Sequence, residues 1–193
     1  MFLVTGGTGF IGKRVVAQLL SKNIQVIATD INTDNEKDSF EKYLSTKGVS
    51  IKDLELLELD ISSKENLSKI FKNYKISNII ACGYQMSNLI DNNPIKGAEV
   101  NIVGMTNLFQ AVVDNKIHRM VFPSSQSVYG KSSKLFNDKP IHEDDYCGLQ
   151  HQLFTYAVMK LLNEFMAQKY VSMHNVSIAC TRPSVVFGYG RKR

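Results

Sequence analysis

The chain predicts an α/β architecture, a doubly wound parallel sheet with helices on both faces, and three observations carry that reading. Short apolar runs alternate with stretches of helical length along the chain. The first run, Phe2-Leu3-Val4-Thr5, leads directly into Gly6-Gly7-Thr8-Gly9-Phe10-Ile11-Gly12, and a carboxylate, Asp30, closes the second. Apolar strands separated by helices imply right-handed crossovers and a sheet buried on both faces. No repeat, low-complexity linker or seam interrupts the alternation, so residues 1–193 read as one domain.

The strands follow in order. Residues 2–5 form the first, and 24–29, 54–59, 76–82, 119–123 and 176–181 are the next five apolar runs. Helices fill the intervals at 10–21, 34–47, 63–73, 95–115 and 153–172, with Ser62-Ser63 before Glu65 as a starting cap for the third.

Composition narrows the function. The 193 residues are 44% hydrophobic and 21% charged, the balance of an ordinary globular core. No apolar run approaches the ~18 residues of a membrane span, and Met1 abuts the first strand, which leaves no room for a signal peptide and points to the cytoplasm. Cys82, Cys147 and Cys180 are distant from one another, so neither a disulfide framework nor a zinc site is expected. His118, His142, His151 and His174 are scattered, and no metal is expected. The net charge of +5 is spread out apart from Arg191-Lys192-Arg193, which reads as a solvated tail with no nucleic-acid partner.

The glycine run carries the first chemistry. Gly6, Gly9 and Gly12 sit on a strand-to-helix turn, where a dinucleotide pyrophosphate meets backbone N–H groups and the positive end of a helix. Asp30 stands where a carboxylate accepts the adenosine ribose hydroxyls and repels a 2′-phosphate, with no arginine in Asp30-Ile31-Asn32, so NAD is expected over NADP. Asp60-Ile61, closing the third strand, is placed either to touch the adenine edge or to serve as an acid before a helix. In the second half, Tyr156 and Lys160 lie one helical turn apart. A phenol is a weak acid and base at neutrality, and a neighbouring ammonium favours its ionised form.

At these residues the chain resembles the extended short-chain dehydrogenases/reductases, and within them the NAD-dependent epimerase/dehydratase group. Thr5 to Gly12 is similar to the family's T-G-x-x-G-x-x-G loop, Asn101 to Leu108 to N-V-x-G-T-x-N-L, Ser124 to Gly130 to S-S-x-x-V-Y-G, Tyr156 to Lys160 to Y-x-x-x-K, and Arg182 to Gly188 to R-x-x-x-V-Y-G. The resemblance implies that Ser125 hydrogen-bonds the reacting oxygen, that Tyr156 moves its proton, and that Lys160 holds the nicotinamide ribose and lowers the tyrosine pKa. It also implies cofactor contacts at Phe10, Ile11, Cys82, Gly83 and Asn101 beside the glycines, Asp30, Asp60 and Ile61.

Departures from the family bear on the substrate. Val185 stands where many sugar-nucleotide members carry an asparagine that contacts the diphosphate, Gln126-Ser127 replaces the Asp-Glu of dehydratases, and Met159 replaces a serine. The stretch from Lys131 to Lys139 lengthens the path from Ser125 to Tyr156. Family members continue past the sixth strand into a smaller helical lobe, so the substrate-covering part is expected to lie outside these 193 residues. The function that the resemblance implies is an NAD-dependent oxidoreductase or epimerase acting on a sugar, nucleotide-linked in the family's manner. The alternatives are a small non-sugar alcohol or ketone as substrate, a non-catalytic NAD-binding module, and a truncated, inactive fragment of such an enzyme. Family dimers pair the two long helices in a four-helix contact, which puts Phe109, Val113, Phe154, Leu161 and Phe165 on a candidate homodimer stripe.

Overall fold

The computed structural model describes residues 1–131, 139–145 and 148–191; Cys147, Lys192 and Arg193, and most of the stretch from Lys131 to Lys139, lie outside the described residues. Six parallel strands, β1 (Phe2–Thr5), β2 (Val26–Asp30), β3 (Leu54–Glu58), β4 (Asn78–Ala81), β5 (Arg119–Pro123) and β6 (Ile178–Thr181), are ordered β3-β2-β1-β4-β5-β6. The order reverses between β1 and β4, and the crevice above that point is where such sheets bind ligands. Register runs straight across it, with Thr5 beside both Thr29 and Ala81.

Alternation along each strand divides the core in two. On one face Val4, Val26 and Ala28 pack with Val16 and Leu20 of α1 (Gly12–Leu20) and Phe40 and Leu44 of α2 (Thr33–Thr46). On the other, Leu3, Ile27, Ile79, Met120 and Phe122 meet α3 (Lys64–Asn73), α6 (Met105–Asp114) and α7 (Thr155–His174). Two short helices, α4 (Ser87–Asn92) and α5 (Pro94–Ala98), precede α6. Burying both faces is what makes near-continuous apolar strands stable here.

Several boundaries differ from the sequence expectation, for local reasons. The second strand begins at Val26 because Ile24 closes α1: Asn23 takes a left-handed conformation (φ 57°) and the Ile24 N–H bonds the Leu19 carbonyl at 3.2 Å. Lys116 (φ 51°) and Ile117 end α6 in the same way, through Ile117 N–H to Val112 carbonyl at 3.0 Å. The segment expected as one helix at 95–115 is α5, then a π-helical stretch at Glu99–Gly104, then α6. A Cβ on Gly104 would lie 2.6 Å from Ile61 Cγ1, so glycine is what lets this stretch lie against the end of β3. Phe109 is fully buried between the sheet and α7, which removes it from the candidate dimer stripe, whereas Phe154 and Phe165 are 53% and 54% exposed.

Candidate functional site

The crevice is floored by the glycine loop. Gly6 sits at φ +63°, and a Cβ there would lie 2.6 Å from the Gly83 nitrogen; one on Gly12 would lie 2.0 Å from the Gly6 carbonyl oxygen. The loop after β1 and the loop after β4 are therefore pressed backbone to backbone, an arrangement that only glycine permits. The Gly7 N–H reaches the Thr29 carbonyl at 2.8 Å, and the Gly83 N–H reaches Thr5 Oγ1 at 3.3 Å. Phe10 and Ile11 lead into the first turn of α1. There Arg14, which sequence reasoning missed, covers the Phe10 ring at 3.8 Å and donates to the carbonyls of Phe10 (2.5 Å) and Tyr189 (2.9 Å).

Asp30 is held at the rim. Its Oδ2 accepts from Thr8 Oγ1 at 2.6 Å and Thr8 N–H at 3.3 Å, and its Oδ1 from Ile31 N–H at 2.9 Å. This carboxylate beside a Cβ-free loop at a helix start fits a dinucleotide: the glycines leave space where a pyrophosphate would lie, and the anchored acid stands where a ribose would end. The buried Thr29 Oγ1, adjacent to Asp30, lacks a hydrogen-bond partner among the described residues.

Asp60 and Ile61 are differently committed. Asp60 Oδ1 accepts from Ser62 N–H (2.9 Å) and Oγ (2.6 Å), and Oδ2 pairs with Lys96 at 3.0 Å. Burial opposes its charge, yet the Ser62 and Lys96 contacts outweigh it and hold Asp60 below the ordinary carboxylate range. Ile61 lies in the core, its carbonyl accepting from Asn107 at 3.1 Å. Asn101 is also an internal brace: its amide accepts from Gln85 N–H at 2.8 Å and donates to the Gln85 carbonyl at 3.0 Å. It is fully buried, so it shapes the loop after β4 from below.

Ser125, Tyr156 and Lys160 come together on the far side of the crevice. Ser125 starts a short 3-10 turn, its Oγ accepting from Ser127 N–H (3.1 Å) and Oγ (2.8 Å), so it serves the turn as well as facing Tyr156. Burial pushes the Tyr156 phenol above its ordinary pKa, and the Ser125 hydroxyl draws it partway back. The lowering expected from Lys160 does not arise from the chain alone, because the ammonium is turned elsewhere. Its Nζ donates to the Pro123 carbonyl at 2.6 Å and lies 3.3 Å from the Tyr84 ring centroid, against 5.6 Å for Tyr156. Tyr84 had no signature in the sequence, since a lone aromatic after a strand reads as core.

Burial also brings the Lys160 ammonium down to about 7 from an ordinary 10.5, with Cys82, Glu164 and Cys180 opposing the shift. Burial likewise pushes the Cys82 thiol up to about 11. The unfolded chain thus holds the Lys160 proton more tightly than the folded one, and between pH 7 and 10.5 it carries more protons. This group's destabilising contribution is full below pH 7 and fades as pH rises to 10.5. Denaturant unfolding should show the stability of Lys160→Met, relative to the parent, declining by on the order of 1–2 kcal/mol between neutral pH and about pH 9. A difference independent of pH would refute the shift.

Behind these groups lies a cluster that sequence reasoning also missed. The buried Glu164, one turn beyond Lys160, accepts from Ser124 Oγ and pairs with Arg182 Nη2 at 2.6 Å and Nε at 3.1 Å. Arg182 Nη1 continues to the Tyr129 hydroxyl (2.8 Å) and the Glu143 carbonyl (2.6 Å). The ends of β5 and β6 and the middle of α7 are thereby tied at one point. A signal existed, in the arginine of the sixth-strand motif, but nothing in the sequence named its partner.

A family model described as "NAD dependent epimerase/dehydratase family" matches residues 2–193. A bifunctional UDP-glucose 4-epimerase and UDP-xylose 4-epimerase of Pisum sativum is 32% identical over 135 residues, covering 69% of this chain and 39% of that protein. Among solved structures, a UDP-glucose 4-epimerase from Stenotrophomonas maltophila with bound NAD and formylated UDP-arabinopyranose superposes with a TM-score of 0.78 at 22% identity, over 94% of this chain and 52% of that one. The L-threonine dehydrogenase of Clostridium difficile gives 0.74, also at 22% identity, over 94% and 52%. At that identity the two structures speak for the fold. The chain spans about half the length of the curated relatives it matches.

Proposed function

The chain belongs to the NAD dependent epimerase/dehydratase family, and from that premise we propose that it is the cofactor-binding and catalytic portion of an NAD-dependent epimerase or dehydrogenase acting on a sugar carried by a nucleotide. The observation that carries this reading is the meeting of Ser125, Tyr156 and Lys160 across the crevice from the glycine loop and Asp30. The similarity to UDP-sugar epimerases supports the substrate class.

Bound NAD supplies a hydride acceptor or donor. The chain's part is to hold it and to manage one proton. Gly6, Gly9 and Gly12 leave room for the pyrophosphate, and Asp30 receives the adenosine ribose. Ser125 orients the sugar hydroxyl, Tyr156 Oη takes its proton as the carbonyl forms and returns it in the reverse direction, and Lys160 holds the nicotinamide ribose. The Tyr156 phenol, raised by burial in the chain alone, needs positive charge nearby to ionise. With the Lys160 ammonium turned toward Tyr84 and Pro123, the oxidised nicotinamide ring would be the main source of it. Val185, 65% exposed, offers no side-chain amide to a diphosphate, which favours substrate contacts differing from those of the asparagine-bearing members. Of the candidate stripe, the exposed Phe154 and Phe165 support a pairing of α7 between two copies.

Calorimetric titration of NAD and NADP into the 193-residue chain and its Tyr156→Phe variant tests the reading. NAD is expected to bind at least about tenfold more tightly than NADP, with Tyr156→Phe within about threefold of the parent. With a nucleotide-sugar panel and a chain carrying the rest of the protein, a dehydrogenase should raise absorbance at 340 nm. An epimerase, which returns the hydride to the sugar, should interconvert the sugars with no net change at 340 nm, to be read by separating the sugar products; neither turnover is expected of Tyr156→Phe. Equal affinity for the two cofactors would refute the role of Asp30, and turnover by Tyr156→Phe would refute that of the tyrosine.

A further inference from the structure

We propose that Tyr84 is a positioning residue for Lys160, holding the lysine's ammonium against its ring face so that the lysine is already aimed when the cofactor arrives. This deepens the function proposed above, since it rests on Lys160 serving the nicotinamide ribose.

The geometry is specific to this pair. Lys160 Nζ stands 3.3 Å from the Tyr84 ring centroid, closer than any other cation to an aromatic ring among the described residues, and it donates one hydrogen bond to the Pro123 carbonyl at 2.6 Å. A cation over a ring face is attracted by the negative π surface, most strongly where water is excluded, and Lys160 is 3% exposed. An ammonium has three N–H donors. With one on Pro123 and the ring fixing the cation's position, the others remain available to ribose hydroxyls.

Tyr84 is itself braced from three directions. Its hydroxyl receives a hydrogen bond from Asn163 Nδ2 at 3.2 Å, and its ring meets that of Tyr156 edge to face at 5.6 Å. The next residue, Gln85, has both backbone groups bound by the Asn101 amide, and Asn163 in turn donates to the Asn101 carbonyl at 2.9 Å. Asn163 lies on the same helix as Lys160 and Tyr156, so α7 carries both the lysine and the group that orients the ring above it. Side chains locked by neighbours in this way lose little entropy on binding a ligand.

The spectrum of a ¹³Cε-lysine-labelled chain reads the arrangement directly. A lysine held over a ring gives a resonance displaced upfield by the ring current, and Lys160→Arg should delete it. Tyr84→Phe keeps the π face and should keep the displacement, whereas Tyr84→Leu should return the resonance to the main cluster. NAD affinity should follow, within about threefold of the parent for Tyr84→Phe and at least about tenfold weaker for Tyr84→Leu. Should Tyr84→Leu fail to fold, Tyr84→Met, which fills the volume without a π face, takes its place. No displaced resonance in the parent, its survival without an aromatic at 84, or unchanged NAD affinity when it is lost would each overturn the proposal. A parent that binds no NAD defeats the cofactor reading instead, and the lysine spectrum still decides whether Tyr84 holds Lys160.

Discussion

Glu164→Leu is expected to cost about 3 kcal/mol of folding stability, because it leaves the buried Ser124 hydroxyl and the part-buried Arg182 guanidinium without their anion. Glu164 and Arg182 side chains are 5% and 16% exposed, and their contact at 2.6 Å is multidentate. Isolated surface pairs contribute little, whereas breaking one side of a buried pair strands a charge. The double variant Glu164→Leu, Arg182→Met should recover much of the loss, since apolar replacement of both partners removes the desolvation penalty along with the attraction. Urea unfolding of the two singles and the double gives the coupling energy. A double variant as unstable as the sum of the singles would show that the pair does not act as a unit.

The consequence should extend to cofactor handling. Ser124 precedes Ser125, Glu164 follows Lys160 by one turn, and Arg182 reaches Tyr129, so the pair fixes the strand end and the helix that carry the proposed proton-transfer groups.

Gly12→Ala is the second large effect. A methyl group at this position would lie 2.0 Å from the Gly6 carbonyl oxygen and 2.8 Å from Gly7 Cα, both backbone atoms that no side-chain rotation can move away. The loop must open or α1 must shift away from it. Overpacking of this kind costs about 1–3 kcal/mol or more, a fall of roughly 4–8 °C in Tm for a cost of ~2 kcal/mol at this size. NAD affinity should fall at least about tenfold, because the N–H groups at the start of α1 no longer converge on the pyrophosphate. Gly48→Ala is the control: its Cβ would meet nothing within 4 Å, and any cost comes from its φ of +65° alone, with NAD affinity unchanged. Calorimetry and thermal unfolding on the two variants separate the contributions. Parent-like NAD binding by Gly12→Ala would remove the close approach from the account.

The sequence by itself determined what local periodicity and local sterics determine. Six apolar runs and the helices between them were legible because a parallel sheet covered on both faces demands that pattern, and the glycine turn and Asp30 were legible because their spacing is set by one strand, one turn and one helix. Boundaries slipped where a hydrophobic residue turned back to close a helix, as Ile24 and Ile117 do, since an apolar residue reads the same in either role. The π-helical stretch at Glu99–Gly104 was hidden because its cause, Ile61, lies in another part of the chain.

Only the tertiary structure decided which polar groups meet. Asp60 finds Lys96, Asn101 braces Gln85, Glu164 joins Ser124 to Arg182, and Lys160 rests on Tyr84. Each pair joins elements distant in sequence or shares a helix with residues of other roles, so no spacing rule announces it. A hydrogen bond or a cation on a ring depends on atoms within a few ångströms, and that proximity exists only once the sheet has set its strand ends side by side.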